Sequence, residues 1–317
     1  MNEIQVIDNA NESISIQNDL TADMFTRFVE YIDASEKTIQ TYERAIRQFS
    51  KWLESHNINR PERADIIAYR EELKESHKPS TVQNYIVAVR QFFTWLETEK
   101  IYPNIAAHIK GAKLDKNHKK DYLTSRQVKK VLKTAYGESL EELRNYAILA
   151  LMFTGGLRTI EVSRANIEDI RTVGDQRVIF LQGKGHDEKT DYIKLMPAVD
   201  DAITDYLKTR GTTNDKEPLF VSTSNNSKGK RLSPRSISSI AKQAMVNAGY
   251  NSDKLTAHST RHTAVTLALL GGESLQEVQQ FARHSNITTT QIYAHNLDRA
   301  KNQCENTIAK AIFDSDL

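Results

Sequence analysis

Apolar residues recur every three or four positions over two long stretches of the N-terminal third. In KTIQTYERAIRQFSKWLESHN, Ile39, Tyr42, Ile46, Phe49 and Leu53 fall on one face, the stripe a helix buries because each turn takes 3.6 residues. In KPSTVQNYIVAVRQFFTWLETEK, Pro79 and Ser80 form a start signal, since proline fits a first helical turn whose N–H groups have no partner. Val82, Tyr85, Val89, Phe92 and Leu96 then share a face. The two stretches echo each other, RQFSKWLE against RQFFTWLE, with no third copy to suggest a solenoid. With shorter helices predicted near residues 21–33 and 62–75, residues 21–108 read as a small four-helix domain. Residues 1–20, weakly periodic and polar, read as a flexible arm.

The periodicity breaks at KGAKLDKNHKK, where Lys110, Lys113, Lys116, Lys119 and Lys120 face the single acid Asp115. Residues 109–121 therefore read as a basic linker and domain boundary, and both a solvated connector and a DNA-contacting strap fit such a charge run. Beyond it, LTSRQVKKVLKTAY and LEELRNYAILALMFTGG predict two helices, the second apolar enough to be a core element. RVIFLQ and DYIKLM are short β-type runs flanking QGKGHDEKT, which has the glycine and aspartate of a hairpin turn. Helical pattern resumes at about Ala198–Leu207 and dominates from Ser233 onward. The expected fold is thus mainly α: a four-helix N-terminal domain, then residues 122–317 as a mixed α/β domain, mostly helical with a small antiparallel sheet.

A chain of 317 residues suits two domains, and 39% hydrophobic with 26% charged residues excludes a disordered chain. No apolar run is long enough to span a bilayer, and the N-terminus is polar and acidic where a secretion signal is basic and then apolar; a cytoplasmic protein without membrane partners is expected. The single cysteine, Cys304, cannot form an internal disulfide. A net charge of +2 does not by itself indicate a polyanionic partner.

Three segments carry the candidate chemistry. In TGGLRTIEV, Gly155 and Gly156 permit a tight turn that would fix Arg158 at the edge of a rigid core; alone, it reads first as a surface arginine after a helix cap. HSTRHTAVTLALLGG holds His258 and Arg261 three apart, on one side of a helical N-terminus. A guanidinium offers five donors in a planar fork that fits two phosphate oxygens, and an imidazole adds another. His258 and His262 also have a metal-ligand spacing, but no glutamate base and no third ligand accompany them, so no metal is assigned. In ARHSNITTTQIYAHN, His284 lies nine residues before Tyr293, which alone reads as a packing tyrosine.

Taken in order, Arg158, Lys184, His258, Arg261, His284 and Tyr293 make residues 121–300 resemble the tyrosine recombinase, or phage integrase, family, especially its Xer-like bacterial members. The N-terminal bundle is similar to that family's core-binding domain. The resemblance implies that Arg158 and Arg261 clamp the scissile phosphate, that His258 and His284 complete the donors around it, that Lys184 protonates the leaving 5′ oxygen and that Tyr293 attacks phosphorus. Glu161 matches an acidic position that orients neighbouring donors. No cofactor is implied. Two features depart from the pattern. The family's Leu-Gly before the histidine is replaced by Ala282 and Arg283, and this charged Arg283 is expected to reach DNA or a neighbouring subunit. GKGHDEKT also offers Lys189, but only Lys184 stands in a Gly-Lys-Gly context.

The implied partners are double-stranded DNA with inverted-repeat core sites and three further copies of the chain, giving a homotetramer on DNA in the bacterial nucleoid. Candidate DNA contacts are Lys78, Ser80, Thr81, Gln83 and Asn84 at a helix start, with Lys110, Lys113, Lys119 and Lys120 of the linker. Ala300, Cys304, Ile308 and Ile312 recur at steps of four, a narrow stripe suited to docking into a neighbour or onto its own domain. A type IB topoisomerase, with a similar residue set, and a catalytically silent DNA-binding protein are the alternative readings.

Overall fold

The computed structural model describes residues 19–113, 121–183, 188–301 and 303–313. The chain divides into two compact units, one ending at Lys116 and the other beginning at Asn117.

The first unit contains α1 (Ala22–Tyr31), α2 (Glu36–Ser55), α3 (Arg63–Ser76) and α4 (Pro79–Thr98). Local chemistry sets the boundaries: Asp65 closes back on the Glu62 N–H before α3 at 2.7 Å, and Pro79 opens α4. Ile46, Phe49 and Leu53 of α2 are buried as the stripe requires. On α4 Val82, Val89, Phe92 and Leu96 are buried as predicted while Tyr85 is half-buried, and the buried set also takes in Ile86, Ala88, Phe93 and Trp95. The reason is that α4 packs against α1, α2 and α3 at once, so one stripe could not cover all its contacts. Phe28 meets Phe92 edge-on at 5.3 Å and Phe49 lies 5.1 Å from Tyr69. The basic stretch begins on this unit: Ile109 is buried, and Arg70 donates to the Lys110 carbonyl at 2.9 Å. The predicted arm up to residue 18 and linker residues 114–120 lie outside the described residues.

The second unit runs α5 (Ser125–Ala135), α6 (Leu140–Gly155), α7 (Thr159–Arg164), β1 (Ile170–Val173), β2 (Gln176–Leu181), β3 (Asp191–Lys194), α8 (Pro197–Arg210), α9 (Pro234–Asn247), α10 (Ala257–Leu270), α11 (Leu275–Ala282), α12 (Ile287–Lys301) and α13 (Cys304–Phe313). Its axis is α6, where every residue from Ala147 to Phe153 is buried; neighbours on all sides explain why this helix is apolar all round. The three strands form an antiparallel sheet in the order β1-β2-β3, pairing Ile170 with Ile179 and Ile179 with Ile193. The sequence pattern gives β2 and β3 but not β1, whose IRTV is short and exposed at three of its four positions, leaving no alternation to detect. Gly174, at φ +58°, turns β1 into β2.

On α13, Ile308 and Ile312 are 56% and 61% exposed, so these stripe residues are not packed on their own unit. Among the described residues no helix is long and apolar enough to cross a membrane.

Candidate active site

The site is assembled where three helix ends meet. Helix α6 stops at Gly156, whose φ of +59° is the left-handed conformation that ends a helix and suits glycine. This turn delivers Arg158 to the N-cap of α7, where its N–H donates to Glu161 Oε2 and its Nη1 to Glu161 Oε1, both at 2.8 Å. The Arg158 side chain remains 30% exposed, whereas that of Glu161 is fully buried.

Helix α10 contributes His258, exposed in its first turn, and Arg261, which is 1% exposed. Arg261 donates to the carbonyl of Gly156 at 2.6 Å and to that of Ala282, tying the ends of α6 and α11 to α10. Burial, with Arg158 and Arg283 nearby, pushes Arg261 down to about 9. It stays charged at neutral pH, in a pocket short of negative charge.

Tyr293 sits on α12 and is 2% exposed, packed with Val265, Val278 and Ala282. Its ring and that of His262 meet edge to face with centroids 4.6 Å apart, and His262 is in turn stacked with Tyr122 at 5.7 Å. The His284 ring lies 6.1 Å from that of Tyr293 and nearly parallel to it, at 22°. Burial raises the Tyr293 pKa, while the charges of Arg261 and Arg158 oppose that rise by favouring the phenolate. His284 Nδ1 is held by Thr290 Oγ1 at 2.9 Å. Burial, then the positive charges of Arg261, Arg158 and Arg283 with His258, pushes His284 down to about 4, so its ring is neutral at pH 7.

Lys184 lies outside the described residues, so no geometry attaches to it. Lys189, the other lysine of the hairpin, is committed to the buried Asp169 carboxylate at 2.5 Å.

Arg283 overturns its expectation. Rather than reaching DNA or another subunit, its side chain is 8% exposed and folded into its own unit. It donates to Glu161 Oε2 at 3.0 Å and to the Phe281 carbonyl at 2.8 Å, with a longer contact to the Gly156 carbonyl at 3.4 Å. Burial opposes the charge of Glu161, but Arg283 and Arg158 outweigh it and hold its pKa below the ordinary carboxylate range. A carboxylate sunk this deeply is stable only with such partners. Arg283 ends α11 at φ +54°, a conformation costing an L-residue roughly 1–2 kcal/mol that glycine avoids.

The structure thus brings Arg158, Glu161, Arg261, His284 and Tyr293 together, with His258 close enough to bear on His284. The sequence reading missed Arg283 and Thr290 as partners of this group, and His262 as the ring against Tyr293. The one signal for Arg283 was a bulky residue where the pattern has glycine. Among the described residues, no cluster of three or more His, Cys, Asp or Glu could hold a metal.

Of the candidate DNA contacts, Lys78, Ser80 and Asn84 are exposed and Thr81 and Gln83 half-buried in the first turns of α4; Lys110 and Lys113 are exposed, and Lys119 and Lys120 lie outside the described residues.

Residues 121–300 match the model of the Phage integrase family, and residues 22–100 match that of the phage integrase N-terminal SAM-like domain. The chain belongs to the phage integrase family. Within that family it is Xer-like. It is 36% identical over 177 residues to tyrosine recombinase XerC of Caldanaerobacter subterraneus subsp. tengcongensis, a match covering 55% of this chain and 47% of that relative. With tyrosine recombinase XerD of Bifidobacterium longum it shares 29% identity over 276 residues, 81% of this chain and 86% of that one. The integrase fold is also that of the XerH site-specific recombinase bound to palindromic difH substrate, with a TM-score of 0.70 at 19% identity over 84% of this chain and 80% of that one. A lambda integrase tetramer bound to a Holliday junction aligns with a TM-score of 0.67 at 16% identity, over 87% and 78% of the two chains.

Proposed function

We propose that this integrase-family protein is a site-specific DNA recombinase that cleaves and rejoins strands through a 3′-phosphotyrosyl intermediate. The observation that carries the reading is the buried Tyr293 set beside a neutral His284 and two guanidiniums, those of Arg158 and Arg261. Attack on a phosphodiester builds negative charge on the non-bridging oxygens, and fixed cationic donors aimed at that charge supply the largest catalytic term. Arg261 is anchored by two carbonyls and Arg158 by Glu161, so neither guanidinium has to reorganise as the charge develops.

In the proposed step the Tyr293 oxygen bonds to phosphorus as the bond to the 5′ oxygen breaks. The phenol proton passes to His284 or to solvent, and Lys184 protonates the leaving 5′ oxygen. Lys189 is poorly suited to that role because Asp169 holds it. The phosphotyrosine conserves the energy of the broken bond, so attack by another 5′ hydroxyl restores DNA without ATP, and no cofactor enters. His258 serves as a further donor to the phosphate and Glu161 orients the arginines.

The relatives' names support recombination over simple relaxation, and neighbours solved on DNA support DNA as partner. In the full proposal residues 21–108 and 122–317 act as the two DNA-binding domains, joined by the basic residues 109–121. Four copies assemble on paired inverted-repeat sites in the bacterial cytoplasm, and the exposed Ile308 and Ile312 of α13 dock into a neighbouring copy.

The test is to incubate the protein with genomic fragments from its source, trap SDS-resistant complexes and sequence the attached DNA, with Tyr293→Phe as control. Adducts that vanish in the variant and cluster at one inverted repeat support the proposal. Scattered Tyr293-dependent adducts favour a type IB topoisomerase, and none at all favours a silent DNA-binding protein.

A further inference from the structure

Arg283 occupies a backbone position made for glycine, at φ +54°, yet its side chain is drawn inward rather than released to solvent. The groups it touches join it to both phosphate-binding arginines. Glu161 Oε2 accepts from Arg283 Nη2 at 3.0 Å and from the Arg158 N–H at 2.8 Å, while the other oxygen takes Arg158 Nη1. The Arg283 carbonyl lies 3.4 Å from Arg158 Nη2. On the other side, the Gly156 carbonyl accepts from Arg261 Nη1 at 2.6 Å and lies 3.4 Å from Arg283 Nη2.

We propose that Arg283 is a positioning residue for strand cleavage: by sharing Glu161 with Arg158 and the Gly156 carbonyl with Arg261, it sets how firmly both arginines are held when they meet the phosphate. Glu161 is fully buried and its charge must be met from within the unit. With Arg283 present, two guanidiniums divide that charge. Without it the whole carboxylate acts on Arg158, draws its fork inward and opposes its transfer to a DNA phosphate. Removing Arg283 also subtracts one positive charge from the pocket that must stabilise the transition state. Arg283 acts through its neighbours, since its two terminal nitrogens donate to the Phe281 carbonyl and to Glu161 and its side chain is 8% exposed.

This inference rests on the recombinase reading, so its test carries one readout that depends on cleavage and one that does not. Arg283→Gly restores the residue that the backbone conformation favours, so a defect cannot come from backbone strain; Arg283→Lys keeps the charge. Thermal melting first confirms that each variant folds. On a nicked suicide substrate carrying the inverted repeat, Arg283→Gly is expected to form the Tyr293 adduct about tenfold more slowly, and Arg283→Lys to recover most of that loss. In the DNA-free protein, NMR titration of His284 should show its pKa rising above about 4 in Arg283→Gly and staying nearer that value in Arg283→Lys. The other groups acting on this ring, Arg261 and His258 on α10 and Arg158 at the N-cap of α7, are unchanged in every variant, as is Tyr293 on α12. A glycine variant that cleaves at the wild-type rate, or that leaves the His284 titration unmoved, overturns the proposal. A wild type that forms no adduct overturns the recombinase reading instead, and the titration still decides whether Arg283 controls the pocket.

Discussion

Replacing Glu161 by alanine is the perturbation whose cost the structure sets most directly. The carboxylate is fully buried, accepts one backbone N–H and two guanidinium donors within 3.0 Å, and is flanked by Arg158, Arg283 and the nearly buried Arg261. Its removal leaves three guanidiniums without a counter-charge, and breaking a buried pair in this way costs about 3–5 kcal/mol. A loss near 4 kcal/mol is a large part of a domain's stability of roughly 5–15 kcal/mol, and lowers Tm by about 8–16 °C in a domain of this size. The assay is urea and thermal unfolding followed by two probes. Both tryptophans, Trp52 and Trp95, belong to the first unit, so their fluorescence reports on that unit while far-ultraviolet circular dichroism reports on both. The dichroism transition should move and the fluorescence transition should not. Added phosphate should recover part of the loss by supplying the missing negative charge. A loss below about 1 kcal/mol, or an equal shift in both probes, would refute the reasoning that Glu161 is the electrostatic keystone of the arginine cluster.

Other expectations follow from the same geometry. His284 has a folded pKa of about 4 against an ordinary value near 6.5; the unfolded ring takes up its proton first, so its contribution to stability is present above about pH 6.5 and lost as pH falls through 4. The urea midpoint of the second unit should therefore fall less between pH 7 and pH 4 in His284→Asn than in the wild type. Gly156→Ala forces an L-residue to φ +59° and sets a Cβ 3.1 Å from the Phe281 ring, which should destabilise the second unit by about 2 kcal/mol in the same unfolding assay. Ile308→Asp with Ile312→Asp changes two exposed side chains, so melting should be unaffected while complexes of paired sites disappear in gel-shift assays and single-site binding persists. Lys78→Ala should weaken DNA binding uniformly across sequences and make its salt dependence shallower.

The amphipathic stripes of α2 and α4 were legible because helical periodicity is local: Ile46, Phe49, Val89 and Phe92 lie in the core where the pattern puts them. The order of Arg158, His258, Arg261, His284 and Tyr293 was legible as well, since their spacing is carried by the chain itself. β1 was not, because three exposed residues in a four-residue strand leave no period to read and its pairing with β2 alone makes it a strand. Arg283 was misread for a related reason. Its sequence neighbours mark it only as a charge in a glycine's place, and a charge by itself reads as solvent-facing. Tertiary packing brings the end of α11 against Glu161, more than a hundred residues away in sequence, and a buried carboxylate there attracts a cation more strongly than water does. The sequence by itself determined which groups are available for the chemistry; only the fold decided which of them share a charge.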